Sequence, residues 1–189
     1  MENSKKILWA QLKMTTLRNE QYDRLWEMGI SYRNGFPRIS ISKIVDGLSH
    51  VALTLPITPA VLSFIAKSIN KVASGVQEMI EFTCKNNVYE NDTRTDTIRP
   101  NGRIKIAREG SRVYFVITFL HADVDSRVAS LQIPTKENSV SFKFSIDNNS
   151  YFDIDDNLTY ASAYADMLEG LNVGYLALYA ERESREKQH

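Results

Sequence analysis

The stretch IRPNGRIKIAREGSRVYFVITFLH, residues 98–121, has the clearest strand pattern in the chain. Charged and apolar side chains alternate over 103–108, Glu109-Gly110-Ser111 interrupts the pattern, and a longer apolar run follows over 112–121. Alternation with a period of two is typical of a strand with one buried face, and a short break that contains glycine is typical of a hairpin turn. The stretch therefore predicts two neighbouring antiparallel strands.

Further strand signals extend this hairpin into a meander over residues 102–154. The cleanest is SVSFKFSI, residues 139–146, in which Val, Phe, Phe and Ile alternate with serines and Lys143. Weaker candidates lie at 127–133 and 151–154. Because short turns such as DNNS join consecutive strands, we predict that the meander is antiparallel.

Residues 1–84 have a β-α-β-β-α-β-like pattern. The candidate strands are 5–14, PRISISKI (37–44), HVALTLPI (50–57) and VQEMIEFTCK (76–85), and the candidate helices are 16–29 and 58–75. The second helix has the strongest signals, since Thr58 is a good N-cap, Pro59 suits the first helical position and Gly75 suits the end. Residues 86–101 are polar and predict a loop.

The last part, residues 155–189, predicts a helical segment. Asp155 and Asp156 suit its N-terminus, and Gly170 and Gly174 suggest a kink. Strands that are grouped in sequence, with helices between and after them, predict an α+β protein: a mostly antiparallel meandering β-sheet with helices segregated to one face and a C-terminal helix. We expect a single domain over residues 1–189.

Composition limits the classes of function. The chain has 189 residues, 43% of them hydrophobic and 24% charged, and a formal net charge of zero. A strongly basic footprint, as expected for a duplex-DNA binder, is absent. The charge is uneven, however: residues 1–75 hold 10 Lys/Arg and 5 Asp/Glu, whereas residues 147–189 hold 3 and 9. The two ends can neutralise each other within one chain or between neighbouring copies.

The expected compartment is a reducing cytosol, of a cell or of a virus-infected host. Cys84 is the one cysteine, so no internal disulfide can form. The start MENSKKILWAQLK has no long apolar region, so we expect that the protein is not secreted. Apolar stretches are also too short for a membrane span, and we expect no membrane partner.

The sequence has few features that are typical of enzymes. Nucleophile-elbow, P-loop, dinucleotide-binding and metalloprotease motifs are missing, and Cys84 falls on the apolar face of a predicted strand. His121, Asp123 and Asp125 alternate in HADVD and would suit a divalent metal on one strand face, but a solvated acidic loop is the commoner explanation. We expect a protein that is not an enzyme and has no cofactor or metal.

Basic residues concentrate in the stretch from Arg94 to Arg112. Proteins that bind single-stranded nucleic acid combine basic groups along the backbone path with aromatic rings on which bases stack. The candidate binding residues are Arg94, Arg99, Arg103, Lys105, Arg108, Arg112, Tyr114, Lys143 and Tyr151, with Tyr89 and Trp9 as further aromatic platforms. The sequence therefore predicts a basic β-ribbon that binds single-stranded DNA or RNA.

In architecture, a meandering sheet followed by a helix resembles the whirly-type single-strand binders, and a sheet that carries aromatic and basic residues is similar to the OB-fold. Both resemblances imply nucleic-acid binding on a sheet surface. Because no family motif matches this sequence residue by residue, no site residue is carried over.

Two other interpretations stay open. Alternating polar and apolar residues occur on any half-exposed antiparallel sheet, and Lys and Arg at strand edges discourage aggregation. The chain would then be a structural or interaction subunit of an oligomeric or viral assembly without ligand chemistry. Under either function we expect a homo-oligomer, because the basic front and the acidic end are suited to meet between copies.

Overall fold

The structure of the chain, a computed structural model, describes residues 26–33, 36–45, 48–90, 93–120, 139–146 and 156–186. Its elements in chain order are β1 Trp26–Arg33, β2 Phe36–Val45, β3 Leu48–Pro56, α1 Pro59–Ala73, β4 Met79–Glu90, β5 Thr93–Glu109, β6 Arg112–Leu120, β7 Ser139–Ile146 and α2 Asn157–Glu186. The predicted strands at 5–14, 127–133 and 151–154, and most of the predicted helix at 16–29, lie outside the described residues.

The strands form two antiparallel sheets. β1, β2 and β3 make a three-stranded sheet in that order, and β4, β5, β6 and β7 make a four-stranded sheet. Within each sheet, every strand pairs with the next strand of that sheet in the sequence. The predicted α+β class with an antiparallel meander is confirmed, and the strands are divided between two sheets.

The end of the first predicted helix is wrong, because residues from 26 onward form β1. Trp26, Met28, Ile30 and Tyr32 are all buried, with exposures of 2 to 4%. This spacing of two residues puts the four side chains on one face of a strand. Apolar residues in WEMGISY recur every second position, which predicts a strand, whereas the residues before it have a helical spacing. Burial of the four side chains in the core favours the strand.

α1 begins and ends as predicted. The Oγ1 of Thr58 accepts a hydrogen bond from the N–H of Val61, and Pro59 is the first helical residue. Gly75 follows the helix with a φ of +76°, a conformation that residues with a side chain rarely adopt. Val76 was expected on the apolar face of the next strand, but it lies before β4 and is 71% exposed.

The predicted loop at 86–101 is instead the far end of the hairpin between β4 and β5. Asn86 lies opposite Arg99 in the register, and the amide nitrogen of Asn87 donates a hydrogen bond to the carbonyl of Thr95 at 2.9 Å. The described side chains in this range are partly or fully exposed. Hydrogen bonds between the backbones hold this part of the hairpin together, and no apolar side chains need to be buried. The alternation of apolar residues, which is the main sequence signal of a strand, is therefore missing.

α2 starts at the predicted cap and runs without interruption through both glycines. One carboxylate oxygen of Asp156 accepts hydrogen bonds from the N–H groups of Leu158 (3.1 Å) and Thr159 (3.0 Å). The helix is continuous across Gly170 and Gly174, where the sequence suggested a kink.

The core lies between the two helices and the sheets. α1 and α2 pack on each other and on the second sheet, and one contiguous cluster joins residues of both sheets and both helices. At the edge of this cluster the rings of Tyr32 on β1 and Tyr175 on α2 stack, with 3.7 Å between their centroids. Neither helix in the described part of the chain is long and apolar enough to cross a membrane.

Candidate nucleic-acid interface

The second sheet has an apolar face in the core and a polar face away from it. Ile104 and Ile106 are fully buried, whereas Arg103 is exposed and Lys105 is partly exposed, so the predicted alternation of this strand is confirmed. We call the side of β5, β6 and β7 that carries Arg103 and Lys105 the outer face. It consists of Arg103, Lys105, Ala107, Glu109, Arg112, Tyr114, Val116, Thr118, Leu120, Ser139, Ser141, Lys143 and Ser145.

The strand register places side chains of the outer face in rows across the sheet. Directly opposite residues on antiparallel strands lie on the same face with their Cβ atoms about 4.5–5.5 Å apart. One row is Arg103, Thr118 and Ser141, and the next is Lys105, Val116 and Lys143. The register therefore brings Lys143 of β7 into the same surface as the two basic residues of β5.

A hydroxyl pair and an exposed guanidinium form the first row. The Oγ atoms of Thr118 and Ser141 are 3.0 Å apart and share a hydrogen bond. The Nε of Arg103 lies 3.4 Å from a carboxylate oxygen of Glu81 on β4, with 53% and 40% of the two side chains exposed. Such exposed ion pairs contribute about 0.2–1 kcal/mol, so Glu81 holds Arg103 only weakly.

Tyr114 does not present an open ring. The Nζ of Lys143 lies 3.8 Å from the ring centroid, a cation–π contact, and Tyr114 is only 7% exposed. The same Nζ donates to both carboxylate oxygens of Glu109, at 2.8 and 3.0 Å. Glu109 thus holds Lys143 over the ring, and a base could stack on Tyr114 only after Lys143 moves.

The structure separates two predicted basic residues from the outer face. Arg108 has the strand parity of Ile104 and Ile106, and its Nε donates a hydrogen bond to the carbonyl of Gly110 at 2.9 Å. Arg99 lies opposite Asn86, whose amide nitrogen donates to a backbone carbonyl of β3 at 2.9 Å. Arg99 therefore belongs to the side of the hairpin that meets the first sheet.

The remaining predicted residues are placed only in part. Arg112 is exposed and lies opposite Glu109 at the turn end of the outer face. Arg94 lies opposite Tyr89 in the hairpin, and only the backbone of these two residues is described. Tyr151 and Trp9 lie outside the described residues.

Of the residues considered for catalysis or metal binding, the structure describes only Cys84. Burial raises the pKa of its thiol to about 11, so the thiolate that a nucleophilic cysteine requires is disfavoured. No group of three or more His, Cys, Asp or Glu side chains suited to a metal ion occurs within the described ranges. The predicted alternative at His121, Asp123 and Asp125 lies outside them.

Three residues on or beside this surface were not predicted from the sequence. Thr118 sits in an apolar run, where counting alternate positions from Tyr114 would have placed it outward. Glu109 on β5 and Glu81 on the neighbouring β4 were not singled out. Their pairing with Lys143 and Arg103 depends on cross-strand register, for which the sequence has no local signal.

Comparisons with known proteins assign no family to the chain. No family model matches it, and no curated protein matches it. One solved structure that it resembles is that of Trypanosoma brucei MRP1/MRP2, with a TM-score of 0.49 and 10% sequence identity over 94% of this chain and 90% of that chain. A likeness at this level carries no conclusion about function.

Proposed function

We propose that this protein is a non-enzymatic binding protein for single-stranded nucleic acid and that the outer face is its binding surface. The observation that carries the proposal is the convergence of Arg103, Lys105, Arg112 and Lys143 on one face of three adjacent strands. Three of these four cations belong to the basic stretch from Arg94 to Arg112, and Lys143 joins them from β7. The single buried cysteine fits the expected reducing, cytosolic compartment.

Phosphate groups can compete for these cations. Glu81 and Glu109 are exposed acceptors, and surface ion pairs with such partners are weak. A phosphodiester can replace either carboxylate as the acceptor for Arg103 or Lys143, with release of counterions as additional driving force. The Thr118 and Ser141 hydroxyls between the two cations add short hydrogen-bonding groups and let a strand approach the sheet closely.

Charged and hydroxyl groups contribute more to binding on this surface than stacking of bases does. Tyr114 is covered by Lys143, so it contributes a platform only where a phosphate draws Lys143 away from the ring. Binding of this kind tolerates different base sequences, because the backbone of the nucleic acid supplies most contacts.

The test is fluorescence anisotropy with a labelled single-stranded oligonucleotide, with duplex alongside, in salt of about 50 and 200 mM. We expect binding that prefers the single strand and weakens with salt. Reversing both charges in Arg103→Glu/Lys105→Glu removes two phosphate contacts and lowers affinity by at least ~tenfold at low salt. The control is Arg99→Glu, which reverses an exposed charge on the other side of the hairpin and leaves most of the affinity.

Three results would contradict the proposal. They are no binding at low salt, an affinity that does not change between the two salt concentrations, and an equal loss in Arg99→Glu. The last would mean that the protein responds to its total charge and has no defined surface.

An alternative function is that of an interaction subunit in an oligomeric or viral assembly, and one observation favours it. The second half of α2 exposes large apolar side chains, with Val173 at 60% and Leu178 at 63%. Exposed apolar surface of this kind is common at protein interfaces. Under this alternative the mass of the particle would not change when oligonucleotide is added, and both charge-reversal variants would behave like the wild type.

A further inference from the structure

One edge of the second sheet is unpaired within the described ranges. β4 pairs with β5 and with no other described strand. It is twelve residues long, and no other described strand lies along its edge away from β5. Long exposed edges invite pairing with another strand, and proteins normally block them with charges, bulges or short length.

The free edge presents a regular row of backbone groups. The N–H of Arg108 donates to the carbonyl of Glu78 at 2.9 Å, just before β4 begins, so even-numbered residues turn their backbone groups toward β5. Odd-numbered residues, among them Glu81 and Thr83, then turn theirs outward. The bulge near Lys85 does not disturb this row, because the extra residue lies on β5.

Charge selects one register for pairing β4 with β4 of a second copy. When the antiparallel pair is centred on Thr83, Glu81 of each copy lies opposite Lys85 of the other. Both side chains are exposed. A centre at Glu81 or at Lys85 sets like charges against each other, and a centre at Phe82 or Cys84 leaves both charges opposite uncharged residues. Glu81 and Lys85 therefore favour the register centred on Thr83 over the other registers.

The same register covers exposed aromatic surface. Phe64 on α1 is 47% exposed and its ring meets that of Phe82 edge-on, with 5.0 Å between centroids. In the Thr83-centred register the two copies of Phe82 are diagonal neighbours, within reach of each other. The Phe64–Phe82 pairs of both copies would meet beneath the new strand pair and lose their contact with water.

We propose that β4 is a self-association edge, at which two copies of this chain pair antiparallel about Thr83 and join their second sheets into one. The inference does not rest on nucleic-acid binding. It commits to a second copy because Glu81 and Lys85 complement each other only across two identical strands.

The test is sedimentation velocity of the full chain, without nucleic acid, over a range of concentrations. Wild type is expected to reach twice the 21.6 kDa mass of one chain. Glu81→Lys and Lys85→Glu each replace two attractive pairs by two repulsive ones and weaken dimerisation by at least ~tenfold. The double exchange Glu81→Lys/Lys85→Glu restores the pairs and the dimer. Asp96→Lys, an exposed reversal on β5 away from the edge, is the control and leaves the dimer intact.

A second variant tests the backbone directly. Thr83→Pro removes an outward N–H that no described strand of the same copy uses, a position at which edge strands tolerate proline. This variant is expected to be monomeric with the wild-type circular dichroism spectrum. The inference is overturned by a monomeric wild type, by dimers that persist in both single reversals, or by a double exchange no better than either single change. Should Thr83→Pro fail to fold, the charge exchange decides alone.

Discussion

At the scale of single residues, Gly102 is a point at which the two sheets approach each other closely. It lies on β5 opposite Cys84, and a Cβ atom built on it would come within 2.6 Å of a methyl carbon of Leu55 on β3. Leu55 is 1% exposed, so its side chain has no free space into which it can turn. Glycine is required here because a side chain would not fit. The backbone conformation does not require it, since Gly102 is not among the glycines with positive φ.

We expect Gly102→Ala to lower the free energy of unfolding by about 1–3 kcal/mol, the usual effect of overpacking a core. The cost depends on Leu55, so the same substitution in a Leu55→Ala background is expected to be much less destabilising. Urea unfolding of the four members of this cycle measures the coupling. Equal costs in both backgrounds would mean that Leu55 is not the residue that excludes a side chain.

At the scale of elements, the start of α2 is stabilised by an ionised cap. Hydrogen bonds from the side chain and N–H of Thr159, and then from the N–H of Leu158, lower the pKa of Asp156. A lowered pKa means that the stabilisation is complete above the pKa of the unfolded chain, about 3.9, and is lost as pH falls through the folded value. We therefore expect Asp156→Ala to melt at a lower temperature than wild type at neutral pH.

The difference in Tm between wild type and Asp156→Ala is expected to shrink as pH falls below about 4, because protonation removes the charged acceptor. Thermal melts followed by circular dichroism at neutral and acidic pH measure this difference. Asp96→Ala, on an exposed strand position, serves as the control for the loss of a surface carboxylate. A difference that stays constant with pH would show that the ionised carboxylate is not what stabilises the helix end.

The elements that sequence predicts well are those whose signals are local. Thr58, Pro59 and Gly75 fix the limits of α1, because a cap, a missing N–H and a positive φ act within a few residues. The hairpin at 86–101 was missed because its stability comes from backbone pairing between exposed strands. β1 was missed because its burial depends on packing against distant elements, which competes with local spacing.

At the scale of the whole molecule, the cations of the candidate surface could be predicted, but not the limits of that surface. Alternation alone separated Arg103 and Lys105 from the core. The removal of Arg99 and Arg108 from this surface depends on a bulge and on strand parity, and the row that joins the predicted Lys143 to Lys105 depends on register between strands distant in sequence. Register follows from how both faces pack, so a single strand's sequence does not contain it.

Together the two proposals make a prediction about ligand length. In a pair of chains joined at β4, opposite residues share a face, so both outer faces lie on the same side of an eight-stranded sheet roughly 35–40 Å wide. A long single strand can contact both faces at once, whereas a short one contacts only one. Simultaneous contact raises affinity without any new type of interaction.

We therefore expect Thr83→Pro to bind an oligonucleotide of about 10 nucleotides as wild type does, and one of about 40 nucleotides at least tenfold more weakly. Anisotropy titrations with both lengths, at protein concentrations where wild type is dimeric, measure this. The Arg103→Glu/Lys105→Glu variant is the contrast, since it weakens binding at both lengths. Equal affinity of Thr83→Pro and wild type for the long strand would separate the two proposals: the outer face would bind nucleic acid, but pairing at β4 would not place two such faces side by side.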